Sequence, residues 1–484
     1  GSYSEPGILT VGGSLASSGK IAVAVKNNIA SQLKVTGAAN IAGTAFQAVA
    51  GSTYKPDTIY PGVLTASSIT GSFATTPFTG MLSAKGSIGS DGKSASLELV
   101  RANNLLNPTA RQQQTYTSME TMYNQLQGQS AQRDLDTLYS LNPAQTAQAL
   151  TEIYGGAQLD QAAAIQRDTT IPKAVNARLS YLKQAAGQTA TASFTLPSFA
   201  PGSSMNAIIP IELDNASSWW MKTSKNWGSI DASSDHPSVD NQSFSVVIGT
   251  DRQAEENWRT GFLASYSNHG VTSGLAKSDS HGYRLGLYGG YSKGAFALQT
   301  YFDYGRQNNH TTRYLQQFQA NSNYDSNTLS FGMGVRYNLH HDKKKVWQVS
   351  PYADFNMTRY SQDGFSETGA QVFNQRAGKF RNTYSTGEIG LEFGRSTANG
   401  RYVINVGYKK VLSGNNPDMA IAYSGNLGST YTISGSWQDR EYAVIGLNLQ
   451  SALGKGWIVD TQIDTAMGKS SKYFTAAIVA RRSW

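Results

Sequence analysis

Between Trp219 and Trp484 the chain alternates apolar and polar residues over runs longer than an ordinary strand, and this pattern limits its fold most. In 457–466, Trp457, Val459, Thr461, Ile463 and Thr465 fall on one face, with Asp460, Gln462 and Asp464 on the other. In 347–357, Trp347, Val349, Ala353, Phe355 and Met357 oppose Gln348, Ser350, Asp354 and Asn356. In 384–394, Ile389, Leu391 and Phe393 oppose Glu388 and Glu392. Side chains alternate across a strand with period two, so each run carries one apolar and one polar face. Twelve such strands are expected, beginning near residues 218, 241, 257, 279, 294, 326, 345, 381, 400, 438, 455 and 470.

The connections alternate as well. Stretches 253–257, 292–294, 341–344, 396–400 and 452–456 read as tight turns. Stretches 231–241, 269–279, 308–325, 362–381 and 413–438 read as long polar loops. An even strand count with short turns at one end and long loops at the other implies a closed antiparallel barrel in a membrane. Closure also removes the exposed edges that twelve open strands would leave. Composition agrees: mean hydropathy is −0.38, and no window approaches the roughly 18 consecutive apolar residues of a membrane helix. The absence of cysteine excludes disulfides, thiolate metal sites and cysteine nucleophiles. A net charge of +8 and a pI near 9.2 raise the question of nucleic acid. The basic residues are scattered, however, and the one run, Lys343-Lys344-Lys345, sits in an expected turn, so no nucleic-acid partner is expected.

The two faces of the strands assign two residue sets. Trp219, Trp258, Trp347, Trp457 and Trp484 lie at strand ends on the short-turn side or at the C-terminus, as does Trp220. Phe296, Tyr402, Tyr291 and Phe393 join them there. Amphipathic rings belong at the membrane–water interface, so this is a membrane-interface girdle. The polar face supplies a pore lumen of Arg259, Arg284, Arg336, Asp354, Glu388, Glu392, Lys409, Asp460 and Asp464. Such inward charges are expected to pair with one another, because an uncompensated charge there is costly.

Three regions follow. Residues 1–110 are short Gly/Ser/Thr/Ala-rich strands, with Ile21, Val23 and Val25 on one face and Leu33 and Val35 on another. Recurrence near every twenty residues favours a β-solenoid over a small sandwich. Residues 111–217 form a helical linker and pore segment. Asn142-Pro143 is an N-cap and first-turn pair, Gly155-Gly156 ends that helix, and Pro172 opens a further helix over 171–185. The connector 187–217 is too long for an ordinary loop, so some part of 171–217 is expected to thread the barrel, preferentially the part nearest Trp219. Its few charges make hydrogen bonds from Asn, Ser and Thr the expected contacts. Residues 218–484 are the barrel. The fold class is therefore all-β, a 12-stranded antiparallel transmembrane barrel behind a helical linker and a solenoid end.

Reactive chemistry is sparse. Gly290-Tyr291-Ser292-Lys293-Gly294 has nucleophile-elbow spacing but lies in a strand-to-strand turn, where that motif does not function. Histidines 236, 269, 281, 310, 340 and 341 show no metal spacing. No catalytic residue, metal or cofactor is expected. No charged start followed by an apolar run opens the chain, so any signal peptide is expected to be already absent.

The order solenoid end, helical linker, barrel and terminal aromatic resembles a monomeric (type Va) autotransporter of the type V secretion class. Ser14–Phe73 looks like the last rungs of a pertactin-like passenger with its autochaperone region. Tyr139–Leu182 is similar to the linker before a translocator domain. Trp219–Gly228, then Gly249-Thr250-Asp251-Arg252 and Trp258-Arg259-Thr260-Gly261, match the family's first three strands. The resemblance implies an outer-membrane translocator that delivers its own passenger to the surface of a Gram-negative bacterium, with residues 1–110 exposed there. It implies as partners outer-membrane lipid, the barrel-assembly machinery, periplasmic chaperones and the chain's own passenger. Phe474, Ala476, Ile478, Ala480 and Trp484 would form the assembly signal of the last strand, although Arg482 stands where the family usually has an aromatic. Asn103-Asn104 resembles the junction at which some relatives cut themselves, but it reads here as a domain boundary. Two alternatives remain: the whole protein is a surface enzyme (protease or lipase) or an adhesin whose active passenger lies elsewhere, or the barrel is a diffusion porin.

Overall fold

The computed structural model describes residues 5–103, 105–185, 190–197, 204–211, 217–339, 347–397, 400–414, 416–436, 438–454 and 457–483. Within 180–218, and at 396–397, 427, 452–454 and 482–483, only the backbone is described. The run Lys343-Lys344-Lys345, His340, His341, Asn104 and Trp484 lie outside the described residues.

The N-terminal region coils. Ile8–Val11, Gln32–Val35 and Thr58–Thr65 stack in parallel on one face. Leu15–Ala16, Ala38–Asn40 and Ser68–Thr70 do so on a second, and Lys20–Val23 pairs in parallel with Ala45–Ala48 on a third. Parallel stacking on three faces is a solenoid, not a sandwich. Ile8 pairs with Gln32 and Leu33 with Leu64, so the rungs exceed the roughly twenty residues suggested by the spacing of the apolar stretches. Val23, Val25, Val35, Ile41 and Leu64 fill the coil. The antiparallel hairpin Leu82–Ile88 and Ser94–Arg101 closes it.

Five helices follow: α1 (Ala110–Leu126), α2 (Gln132–Tyr139), α3 (Pro143–Tyr154), α4 (Ala157–Gln166) and α5 (Thr170–Ala185). Thr109 and Gln112 form a capping box on α1, and Asn142 and Gln145 form another on α3. Gly155 and Gly156 both adopt positive φ, which breaks the path between α3 and α4 at little cost. Arg101, on the last solenoid strand, reaches Asp57 at 2.9 Å, Glu120 at 2.9 Å and Asn124 at 2.7 Å, fastening the coil to α1. Tyr139 donates to the same Glu120 at 2.8 Å. The result is one apolar core shared by the solenoid, α1–α3 and the barrel's long-loop end, where Leu315, Ala320, Val372, Phe373 and Tyr423 meet Tyr116, Met122 and Leu135.

Twelve antiparallel strands close into a barrel. They are Ser217–Ile230, Val239–Glu255, Trp258–Ser273, Ala276–Lys293, Phe296–Leu315, Phe318–Tyr337, Trp347–Gln362, Phe380–Thr397, Gly400–Ser413, Glu441–Gly454, Trp457–Met467 and Ser471–Ser483. The last pairs with the first along its length. Count and order agree with the sequence reading, but two of the long loops are not loops. Strands continue through 269–279 and 308–325, joined by tight turns beyond Ser273 and Leu315. The physical reason is that both faces turn polar there while backbone pairing continues, so the alternation fades although the strand does not. The loops 363–379 and 414–440 contribute a separate four-stranded sheet of Phe365–Ser366, Gln375–Ala377, Asp418–Tyr423 and Asn426–Ser434. Gly290 and Ser292 both lie in the strand Ala276–Lys293, whose turn at Gly294 leads directly to the strand from Phe296, a strand-to-strand connection.

Candidate functional site

The outer wall shows where the membrane lies. Trp219, Trp258, Trp347 and Trp457 all face outward and are exposed. Trp258 packs against Tyr291 at 5.0 Å and Trp347 against Tyr402 at 5.8 Å, so the described short-turn aromatics meet across neighbouring strands on the outer face. Trp220 differs: it turns inward, is buried and donates its indole N–H to the Tyr288 hydroxyl at 2.6 Å. A second aromatic belt went unseen in the sequence. Trp227, Tyr266, Tyr283 and Tyr304 are exposed on the outer face, each eight residues from Trp219, Trp258, Tyr291 and Phe296 respectively. Tyr266 lies 5.2 Å from Tyr283, and Trp227 lies 5.5 Å from Phe474. Eight residues at about 3.3 Å, tilted by about 40°, separate the belts by about 20 Å, near the height of an outer-membrane apolar band. Between them project Phe262 and Leu285, 66% and 68% exposed. The eight-residue aromatic repeat was the available signal.

Twelve strands leave a bore for about one helix. The described side chains that fill it come from α4 and α5. The expectation that the stretch nearest Trp219 fills the bore falls on side chains outside the described set, where 190–197 and 204–211 form a backbone hairpin. At the long-loop end Arg313, buried, donates to the carbonyls of Glu152 at 2.9 Å and Ile153 at 3.2 Å. It is itself held by Glu367 at 2.6 Å. Gln375 donates to the carbonyls of Ile153 and Tyr154 at 3.0 and 2.9 Å, and the Tyr423 hydroxyl donates to Ile153 at 3.0 Å. These donors satisfy carbonyls left open at the C-terminus of α3, where positive charge is also favoured.

Further in, α4 is buried around most of its circumference. Asp160 accepts from Ser436 N at 2.7 Å, and Gln166 exchanges hydrogen bonds with Asn382. At the break before α5, Arg167 lies 4.9 Å over the Tyr384 ring, and Asp168 faces Arg284 at 3.5 Å. Ile171, Ala174 and Val175 of α5 pack on Trp220, Val247, Leu263, Tyr288 and Tyr301. Near the short-turn end Arg178 grips Asp251 through two bonds of 2.6 and 2.7 Å, and Arg259 and Tyr288 bind the same carboxylate. Lys173 reaches Asp464 at 2.9 Å. Ion pairs therefore hold the described part of the plug; the Asn, Ser and Thr side chains of 180–217, expected to contribute hydrogen bonds, lie outside the described set. Asp168, Lys173 and Arg178 are each matched by a wall charge, which offsets the desolvation of both partners, whereas Asp160 is held by Ser436 and Arg167 by the Tyr384 ring.

The structure turns all nine sequence-assigned lumen residues toward the bore. Arg259 joins Asp251, and Arg284 joins Asp303 at 2.7 Å. Arg336 bridges Asp354 at 2.8 Å and Glu392 at 2.9 Å. Glu388 accepts from Tyr352 at 2.8 Å and stands opposite Lys409 in register. Asp460 pairs with Arg481, and Asp464 with Lys173. Sequence reasoning missed Asp251, Asp303, Arg313 and Arg481, which lie on the same inward parity. A cavity of about 200 Å³ remains beside the plug, lined by Lys173, Arg336, Glu392 and Lys409 among others. On the last strand Phe474 and Ile478 face outward, with half-buried Ala476 and Ala480 on the same parity. Asn103 lies at the junction of solenoid and α1, outside the barrel. Among the described residues no cluster of three His, Asp or Glu side chains suits a metal.

Known proteins match this arrangement. The family described as "Autotransporter beta-domain" matches residues 219–464, just over half of the chain. The chain belongs to the autotransporter β-domain family. The translocator domain of autotransporter NalP from Neisseria meningitidis is 13% identical, with a TM-score of 0.50 over 68% of this chain and 98% of that one. The β-domain of the Bordetella autotransporter BrkA is 18% identical over 56% of this chain and all of that one, at a TM-score of 0.41. A curated relative, an extracellular serine protease of Serratia marcescens, is 25% identical over 155 residues, which span 31% of this chain and 14% of that protein. The autotransporter barrel is thus an outer-membrane translocator of type V secretion in a Gram-negative bacterium.

Proposed function

We propose that this autotransporter delivers its own N-terminal region to the cell surface and then holds it there by the plug. One observation carries the reading: α4 and α5 run through the closed barrel from the shared solenoid core toward the short-turn end. With short turns facing the periplasm, residues 1–110 stand outside. The sequence has no phosphate-binding loop for nucleotide, and the bore admits about one helix. Folding of the solenoid and its core with α1–α3 outside the membrane therefore supplies the pull, the role that the autochaperone resemblance assigns to this region.

Assembly is proposed to use the outward set Phe474, Ala476, Ile478 and Ala480, together with Trp484, as the signal read by the barrel-assembly machinery after periplasmic chaperones deliver the chain. The barrel is proposed to be non-catalytic. Any enzymatic activity would belong to a passenger, for which the extracellular serine protease relative makes a protease the first candidate and a lipase or adhesin the others.

The test is an epitope inserted at the exposed Asp91-Gly92 turn of intact cells. Antibody labelling without permeabilisation is expected, and its loss on deletion of Trp484 with synthesis and export unchanged. Labelling only after permeabilisation contradicts the proposed orientation.

A further inference from the structure

Outside the lumen, one side of the outer wall sets two guanidinium groups together at the upper edge of the apolar band. At the rung that carries Tyr304 and Leu329, the neighbouring strand presents Arg359, exposed. One rung further, Arg381 faces outward beside Ser361. Since Arg359 pairs with Thr383 and Ser361 with Arg381, the two arginines are diagonal cross-strand neighbours, about 7–8 Å apart at Cα. Among the described residues neither makes an ion pair. Lys410, on the next strand at the rim of the groove below, is exposed and pairs with the equally exposed Glu441, at 3.1 Å. Two unpaired guanidinium groups side by side at the edge of an apolar band repel each other unless an anion bridges them.

Below them the wall is grooved. Ala353 and Gly387 form a low floor between Met333, Phe355, Ile389 and Tyr408, and the groove holds about 320 Å³. A Cβ built on Gly387 would touch only Leu412, at 3.7 Å, so the floor is open space and not a packed contact. Along the strand the groove begins about four residues beneath Arg359, on the order of 13 Å at about 3.3 Å per residue. That is the separation between a headgroup phosphate and the middle of its acyl chain.

We propose that this face binds one phosphorylated glycolipid of the outer leaflet, its phosphate bridged by Arg359 and Arg381 and one acyl chain lying in the Gly387 groove. Planar guanidinium groups match phosphate oxygens in two-bond geometry, and desolvation at the membrane edge strengthens the contact. The leaflet assignment rests on the long-loop end facing the exterior; the binding itself does not depend on orientation.

The detergent-solubilised full chain is titrated with diphosphorylated lipid A, its dephosphorylated form and inorganic phosphate, and bound species are counted by native mass spectrometry. The phosphorylated lipid is expected to bind, and Arg359→Gln/Arg381→Gln to weaken it about tenfold. Gly387→Leu, which fills the groove, is expected to weaken the same lipid while the protein keeps its heat-modifiable mobility. Equal binding of the dephosphorylated lipid, wild-type affinity in the double variant, or complete displacement by inorganic phosphate at equal concentration would each overturn the proposal. Surface labelling of residues 1–110 separately tests the orientation.

Discussion

The same strands behave differently below and above the upper aromatic belt. Below it the outer face meets lipid, and Phe262, Leu285 and Ile389 project from it unpaired. Above it the outer face is polar: Arg306 pairs with Asp325, Asn308 donates to Asp325, and His310 meets Asn323. Inside, the membrane part is filled by α5, whereas α4 packs in the upper part with the four-stranded sheet, which merges there with α1–α3. Lipid imposes the alternation that makes a strand readable. Backbone pairing needs no such pattern, so the extension above the membrane is strand without signature.

The largest expected effect lies at the top of the bore. Arg313→Ala leaves Glu367 buried without its cation and strips donors from the end of α3. Breaking such a pair typically costs about 3–5 kcal/mol, and the loss should appear as early urea unfolding of the long-loop end while the barrel keeps its heat-modifiable mobility. On the outer wall, Leu287→Arg, midway between the belts, should cost about 2–4 kcal/mol in refolding into bilayers, as a cation placed toward lipid at the midplane does. The same residue placed above the belt, His281→Arg, should fall within about 0.5 kcal/mol of wild type. Equal costs at 287 and 281 would erase the boundary between the two regions.

How far the sequence foretold this structure follows from that boundary. Trp457–Met467 was legible because each outward residue meets lipid and each inward one meets charge. Asn308–Asp325 was not, since Asn, Thr, His and Ser on both faces look like a loop. The nine lumen charges were legible by parity, but the plug partners Lys173 and Arg178 on α5, and Asp168 at the break before it, take positions in the bore that depend on tertiary packing. The Asn142 cap and the Gly155-Gly156 break were local signals and were found. The sheet built from 365–366, 375–377, 418–423 and 426–434 assembles pieces of two distant loops, a pairing no local pattern specifies.

Two smaller effects sharpen the contrast. Asp325→Ala removes an exposed ion pair and a hydrogen bond in the extension, and should change stability by about 0–1 kcal/mol, falling further in high salt. In the core shared by the solenoid and α1–α3, burial holds the Glu120 carboxyl above its ordinary range, even though Tyr139 and Arg101 pull it down. Its folded value exceeds its unfolded one, so its contribution is full below the unfolded value and is lost as pH rises through the folded value. This region should therefore melt at slightly higher temperature near pH 5 than near pH 8, and Glu120→Gln should flatten that slope. An unchanged slope in the variant would place the titration elsewhere.

The central claim is that α4 and α5 plug a closed translocator barrel, and single-channel conductance tests it most directly. The full chain carrying Ala174→Pro and Arg178→Ala breaks α5 in its interior and removes its grip on Asp251, while no barrel residue changes. The account predicts current steps well above those of the wild-type chain, with unboiled electrophoretic mobility preserved. Wild-type conductance in this folded variant would contradict it, because the bore would then be closed by something other than the helix.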